Sequence, residues 1–175
     1  FTLLTFLNGI LILFLFAKSN NIFGSKVPSM CKCNSALGVF LKQKLSKKPF
    51  TIVGDGNQKR DFINVKDVAT AIYKSFKSKK SNKIYNVGSG SPTSVNKLVN
   101  YLKGKKIFIP KRPGEPKITH ANTRLIRQQL KWKPKITLEE GLDEVLKNIN
   151  YWNNSPLWTK KKIKKTTEDW FKYLK

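Results

Sequence analysis

Acidic residues are scarce in this chain. Ten Asp and Glu face thirty-five Lys and Arg, a formal charge of +25. The expected partners are therefore anionic: nucleic acid, anionic lipid or phosphorylated small molecules. Arginine is scarce too. Only Arg60, Arg112, Arg124 and Arg127 occur, and the other thirty-one basic residues are lysine. Proteins that read base edges lean on the planar arginine fork. A dispersed, solvated lysine surface is therefore expected rather than a specific nucleic-acid interface. There are two cysteines, Cys31 and Cys33. Their spacing is too short for a structural disulfide, and two ligands do not complete a zinc site. No metal is expected, and free thiols suit a reducing cytoplasm. The one histidine, His120, has no evident partner and reads as a structural or surface residue. The one methionine is Met30 and the chain opens on Phe1, so a piece of a longer protein is expected.

Long apolar runs are limited to FTLLTFLNGILILFLFA at residues 1–17. No basic region or small-residue cleavage site marks it as a signal peptide. Asn8 and Gly9 interrupt it, and it is marginal in length for a membrane-spanning helix. A buried helix or strand from a larger domain is expected; a membrane anchor is the alternative.

The rest reads as strands alternating with helices, an α/β or α+β pattern. Residues 18–34 are a polar loop. Residues 35–47 place apolar side chains at 37, 40, 41 and 45, a helical face. FTIVG (50–54) is a strand closed by the Gly54-Asp55-Gly56 turn. RDFINV (60–65) is expected to add a short strand. In the next helix, 65–76, Val65, Val68, Ala69, Ile72 and Phe76 share one face. KIYNVGSG (83–90) reads as a buried strand, and Thr93 or Ser94 caps a helix that stops at Gly104. KIFIP (106–110) is a strand, KRPGEP a turn, NTRLIRQQL a helix. Thr137 with Glu140 forms a capping box for LEEGLDEVLKNINYW. The tail looks like one more helix that packs through its aromatics.

Catalytic signatures are thin. Gly54 and Gly56 give G-x-G, but Lys59 stands where a dinucleotide loop needs its third glycine, and no helix opens there. Tyr73–Lys77 and Tyr101–Lys105 have the Tyr-x-x-x-Lys spacing, which chance supplies in a lysine-rich chain. Arg60 and Arg112 are more informative. Both sit beside turns, from which a guanidinium fork can reach phosphate oxygens bidentately; surface ion pairing is the plainer alternative.

Four linked segments carry a resemblance: PFTIVGDGNQKRDFINVKDVATAI, IYNVGSGSPTSVNKLVNYL, PKRPGEP and LKWKPKITLEEGL. In this order they resemble the C-terminal half of the extended short-chain dehydrogenases that act on nucleotide sugars, such as the 4-epimerases and 4,6-dehydratases. The likeness runs from about residue 34 to 145, and NNIFGS (20–25) resembles the family's Asn-x-x-Gly turn. It implies an α/β fold: a C-terminal substrate-binding lobe plus the last core strands of a truncated Rossmann-type domain. The implied division is 1–33 as a degenerate core remnant, 34–150 as the nucleotide-sugar lobe and 151–175 as a helical tail.

The resemblance also implies roles. Asn21 falls on the turn that contacts the nucleotide sugar. Asn34 falls where a helix start meets the diphosphate. Thr51 and Val53 fall on the strand that lines the base. Arg60 falls on the diphosphate-gripping arginine, and Arg112 and Glu115 on the turn at phosphate and ribose. The implied parent is a cytoplasmic homodimer that uses NAD to oxidise and re-reduce a UDP- or dTDP-sugar at C4. The Gly-rich NAD loop and the Tyr-x-x-x-Lys pair are not found. If 1–8 matches the helix of that pair, Phe1 and Thr5 stand in its place. No catalytic residue is expected here, and the chain alone is expected to be inactive. A basic nucleic-acid-binding module and a membrane-anchored remnant are the alternative readings.

Overall fold

The computed structural model describes residues 2–7, 10–15, 21–24, 36–80 and 82–174. The apolar opening is a hairpin and not a helix. Strand β1 (Thr2–Leu7) pairs antiparallel with β2 (Ile10–Leu15), Thr2 opposite Leu15 and Leu7 opposite Ile10. The sequence between them, Asn8-Gly9, is the dipeptide that most favours a two-residue hairpin turn. Thr5 therefore lies on a strand, which removes the proposed match to a catalytic helix; Phe1 lies outside the described residues. Among the described residues no helix is long and apolar enough to cross a membrane.

Two short parallel pairs form the centre. Strand β3 (Ile22–Phe23) runs beside β6 (Ile63–Asn64), and β4 (Phe50–Val53) beside β8 (Lys106–Ile109). Between them in sequence, β5 (Lys59–Arg60) pairs antiparallel with β7 (Thr93–Ser94). RDFINV is thus split. Asp61 and Phe62 turn inward and are buried, so β5 and β6 belong to different sheets.

Helix α1 (Ala36–Leu45) buries Leu37, Phe40 and Leu41 as its spacing requires. Phe40 meets Phe50 of β4 edge-on, ring centres 5.6 Å apart. Helix α3 (Val95–Leu102) starts at Ser94, whose hydroxyl accepts from Lys97 N, and buries Val95, Leu98, Val99 and Leu102 against the same core. Helix α5 (Leu138–Lys147) carries the expected capping box: Glu140 N donates to Thr137 Oγ1, and Thr137 N donates back to the Glu140 carboxylate at 2.8 Å. A 3-10 turn, Ile149–Trp152, brings Trp152 against Gly38 of α1.

Helix α2 (Val65–Lys77) is rotated from the expected face. Its buried residues are Asp67, Val68, Ala71 and Ser75, whereas Val65, Ile72 and Phe76 are 37%, 37% and 50% exposed. Polar anchors set the rotation. The Asp67 carboxylate accepts from Lys135 N and Ile136 N, both at 3.0 Å. Thr70 Oγ1 accepts from Trp132 Nε1, also at 3.0 Å. These bonds turn the small side of the helix onto Ile126 and Leu130 of α4 (Arg124–Leu130).

Residues 83–90 are not a strand. Tyr85 and Val87 pack on the second cluster while Ile84 is 52% exposed. The alternation expected of a strand is present, but among the described residues no strand lies beside it to complete a ladder. The tail forms two short helices, α6 (Lys160–Thr166) and α7 (Glu168–Tyr173), neither with a buried residue.

Candidate nucleotide site

Strands β4 and β8 run parallel, so both release their chains at one end of the molecule. After Val53 the chain reverses through Gly54 (φ 61°) and Gly56 (φ 75°), a region that residues with a Cβ avoid. A Cβ on Gly56 would also collide with the Asn96 amide, which donates to Asp55 O at 2.9 Å. Asp55 accepts from Asn57 N and Asn57 Nδ2, and these bonds hold its carboxyl below the usual range. The turn leads into β5 and no helix, so the glycines shape a corner and make no cofactor loop. After Ile109 the chain reverses again through Pro113-Gly114.

Against the ends of β4 and β8, at Val53 and Ile109, lies a cavity of about 230 Å³. Asn21, Thr51, Val53, Arg60, Arg112 and Glu115, which arrive from four separate stretches of sequence, all line it. Asn34 lies outside the described residues. A second hollow of about 350 Å³ adjoins it, sharing Val53, Gln58 and Glu115 and bordered by Lys59, Lys111 and Lys117.

The side chains differ in what they have free. Arg60 is committed: Nη2 donates to Glu115 Oε1 at 2.9 Å, and Nη1 to Lys59 O and Pro116 O, each at 2.9 Å. The pair is mostly buried, at 12% and 21% side-chain exposure. Arg112 forms no ion pair among the described residues; its guanidinium lies 5.7 Å from the centre of the Trp170 ring. It is therefore the less committed of the two guanidiniums. Thr51 is locked by Gln43, whose Oε1 accepts from Thr51 N at 3.1 Å and whose Nε2 donates to Thr51 Oγ1 at 2.8 Å. Asn21 Nδ2 reaches Thr119 Oγ1 at 3.4 Å, and its carbonyl accepts from Ile63 N, tying β3 to the same wall.

Several contributors escaped the sequence reading. Gln43 lies off the apolar stripe of α1, and only its strand neighbour reveals its role. Gln58 donates to Val53 O at 2.9 Å and lines the cavity. Trp158, Ile163, Thr166, Thr167 and Trp170 line it from the tail. Their one signal was the presence of aromatics in a segment otherwise full of lysine.

The two Tyr-x-x-x-Lys spacings are not catalytic pairs. Lys77 Nζ sits over the Tyr73 ring, 5.8 Å from its centre, and among the described residues no hydrogen bond joins it to the hydroxyl. Tyr101 donates to Asp143 Oδ1 at 2.6 Å, and this bond pushes its pKa up, the reverse of what proton transfer needs. Among the described residues no group of His, Cys, Asp and Glu could hold a metal.

A family model described as GDP-mannose 4,6 dehydratase matches residues 15–145. The UDP-glucuronate 4-epimerase of Thermodesulfobacterium geofontis is 34% identical over 110 residues, 59% of this chain and 34% of that protein. UDP-glucose 4-epimerase 2 of Arabidopsis thaliana is 34% identical over 113 residues, 58% and 31% of the two chains. Among solved structures, UDP-glucuronic acid 4-epimerase from Bacillus cereus, crystallised with UDP-glucuronic acid and NAD, superposes with a TM-score of 0.67. Identity there is 28%, over 74% of this chain and 43% of that one. The chain thus spans less than half the length of the proteins it matches.

Proposed function

The chain belongs to the GDP-mannose 4,6-dehydratase family of extended short-chain dehydrogenases and epimerases, and on that premise we propose that it supplies the nucleotide-diphosphate contacts of an NAD-dependent sugar epimerase or dehydratase. One observation carries the proposal. Six residues given nucleotide roles by motif alone line a single cavity at the exit of a parallel strand pair. That is where open α/β sheets bind ligands.

In this reading Val53 and Thr51 flank the base, and Asn21 faces the sugar-nucleotide. Arg112 supplies a guanidinium free of carboxylates, and a diphosphate competes with Glu115 for Arg60. A fork matches two phosphate oxygens where an ammonium offers a point charge. The surrounding lysines steer a dianion inward. The 4-epimerase relatives make a UDP-sugar the leading ligand, with C4 as the position altered in the whole enzyme. NAD would carry the hydride in the whole enzyme. The described residues do not fit the dinucleotide: Gly54-x-Gly56 and Gly88-x-Gly90 each lead into a short strand, β5 and β7, and Lys59 and Thr93 stand where the third glycine would be. No step is therefore assigned to this chain beyond binding and orienting the nucleotide.

Titration calorimetry with UDP tests the proposal. UDP is expected to bind, and Arg60→Ala or Arg112→Ala to weaken it about tenfold each, the loss of roughly 1.4 kcal/mol. Absence of UDP binding, or wild-type affinity in both variants, would overturn it.

A further inference from the structure

We propose that residues 158–174 form a strap that closes the cavity over a nucleoside diphosphate, with Trp170 as a ligand-facing wall. The proposal rests on the preceding reading of the cavity. Helices α6 and α7 bury no residue of their own, yet Ile163, Thr166, Thr167 and Trp170 all line that space.

Among the described residues, two bonds fasten the strap. Gln43 Nε2, from the pair that locks Thr51, donates to Trp158 O at 2.8 Å. Trp170 Nε1 donates to Pro113 O at 2.8 Å, inside the turn that presents Arg112. One fastening thus falls on α1, through the Gln43 that also holds Thr51, and the other on the turn that carries Arg112 and Glu115. The Arg112 guanidinium beside the Trp170 ring completes the second one. An indole in this position limits the directions Arg112 can take and leaves its N–H edges to an anion.

Among the described residues no ion pair adds to these bonds. Lys160, Lys161, Lys162, Lys164 and Lys165 are exposed on α6, and none forms an ion pair among the described residues. Lys160 with Lys164 and Lys161 with Lys165 are like charges one turn apart, an arrangement that weakens a helix. A segment with few buried contacts opens at low cost. The cavity keeps about 230 Å³ with the strap in place, so the tail walls the site and does not fill it.

The full chain is titrated with UDP and digested briefly with trypsin, the cuts being assigned by mass spectrometry. At a tenfold excess of UDP over its Kd, cutting after residues 160–165 is expected to slow about tenfold. Trp170→Ala is expected to raise the Kd for UDP roughly tenfold and abolish that protection. Trp170→Phe, which keeps an aromatic face, is expected to retain most of both. Trp170 is 39% exposed, so neither variant opens the core, and circular dichroism checks this. If UDP binds but the cuts and the Trp170→Ala affinity are unchanged, the strap is overturned and the nucleotide site stands. Tighter binding by Trp170→Ala would make the tail an obstruction and also overturn it. If the wild-type chain does not bind UDP at all, the site itself is wrong and the strap falls with it.

Discussion

Arg60 and Glu115, 55 positions apart, form a 2.9 Å ion pair at the wall of the cavity, with side chains only 12% and 21% exposed. The pair joins β5 to the turn that follows β8. It also holds the arginine most expected to grip phosphate. Removing the carboxylate should therefore release a binding group. Glu115→Gln is expected to bind inorganic pyrophosphate about threefold to tenfold more tightly, on the order of 1 kcal/mol. Calorimetry in low-salt buffer measures it; weaker pyrophosphate binding would show that Glu115 positions Arg60 and does not compete for it.

Asp61, beside Arg60, has a structural part. Its buried carboxylate accepts from Ser89 N at 2.8 Å, from the Ser89 hydroxyl, from Gly90 N and from Ala121 N at 3.0 Å. Asp61→Asn turns an acceptor into a donor facing other donors. A loss of about 2–3 kcal/mol in urea unfolding is expected, and a variant as stable as wild type would contradict this account.

Gln43 ties Thr51 of the strand to Trp158 of the tail. Gln43→Ala leaves the Thr51 amide buried without its acceptor. The expected cost is about 1–3 kcal/mol. Faster hydrogen exchange at Thr51 and through residues 158–174 should accompany it, and exchange confined to α1 would refute the link.

The capping box sets an acid limit. Hydrogen bonds from Thr137 N and Oγ1 hold the Glu140 carboxyl below its ordinary pKa. A depressed carboxyl contributes stability that is complete above the unfolded value and lost as pH falls through the folded one. Thr137→Ala is expected to cost about 1 kcal/mol near neutrality, and the gap from wild type should narrow in acid. Urea midpoints across an acid series measure both effects.

Much of this was legible in the sequence because it is local. Ser94 and Thr137 announce their helices through a cap that a few residues complete. Gly54 and Gly56 announce a turn through a backbone conformation that other residues avoid. The rotation of α2 was not legible, since Asp67 finds its partners at 135 and 136, far along the chain. Periodicity counted Val65, Ile72 and Phe76 as core because it weighs apolarity and cannot see a carboxylate claimed by distant amides. The same limit made residues 83–90 a strand: alternation is a property of the segment, but a ladder needs a neighbour.

The sequence by itself determined the family, the helix starts, the β4 turn and six residues that share one cavity, because motif spacing records local backbone needs. Only the tertiary structure decided how those residues are spent. Arg60 is paired with Glu115, Arg112 lies against Trp170, and the lysine-rich tail is bonded at Pro113 beside the cavity. Those outcomes depend on which chains come within about 3 Å of one another, a distance that no reading along the chain contains.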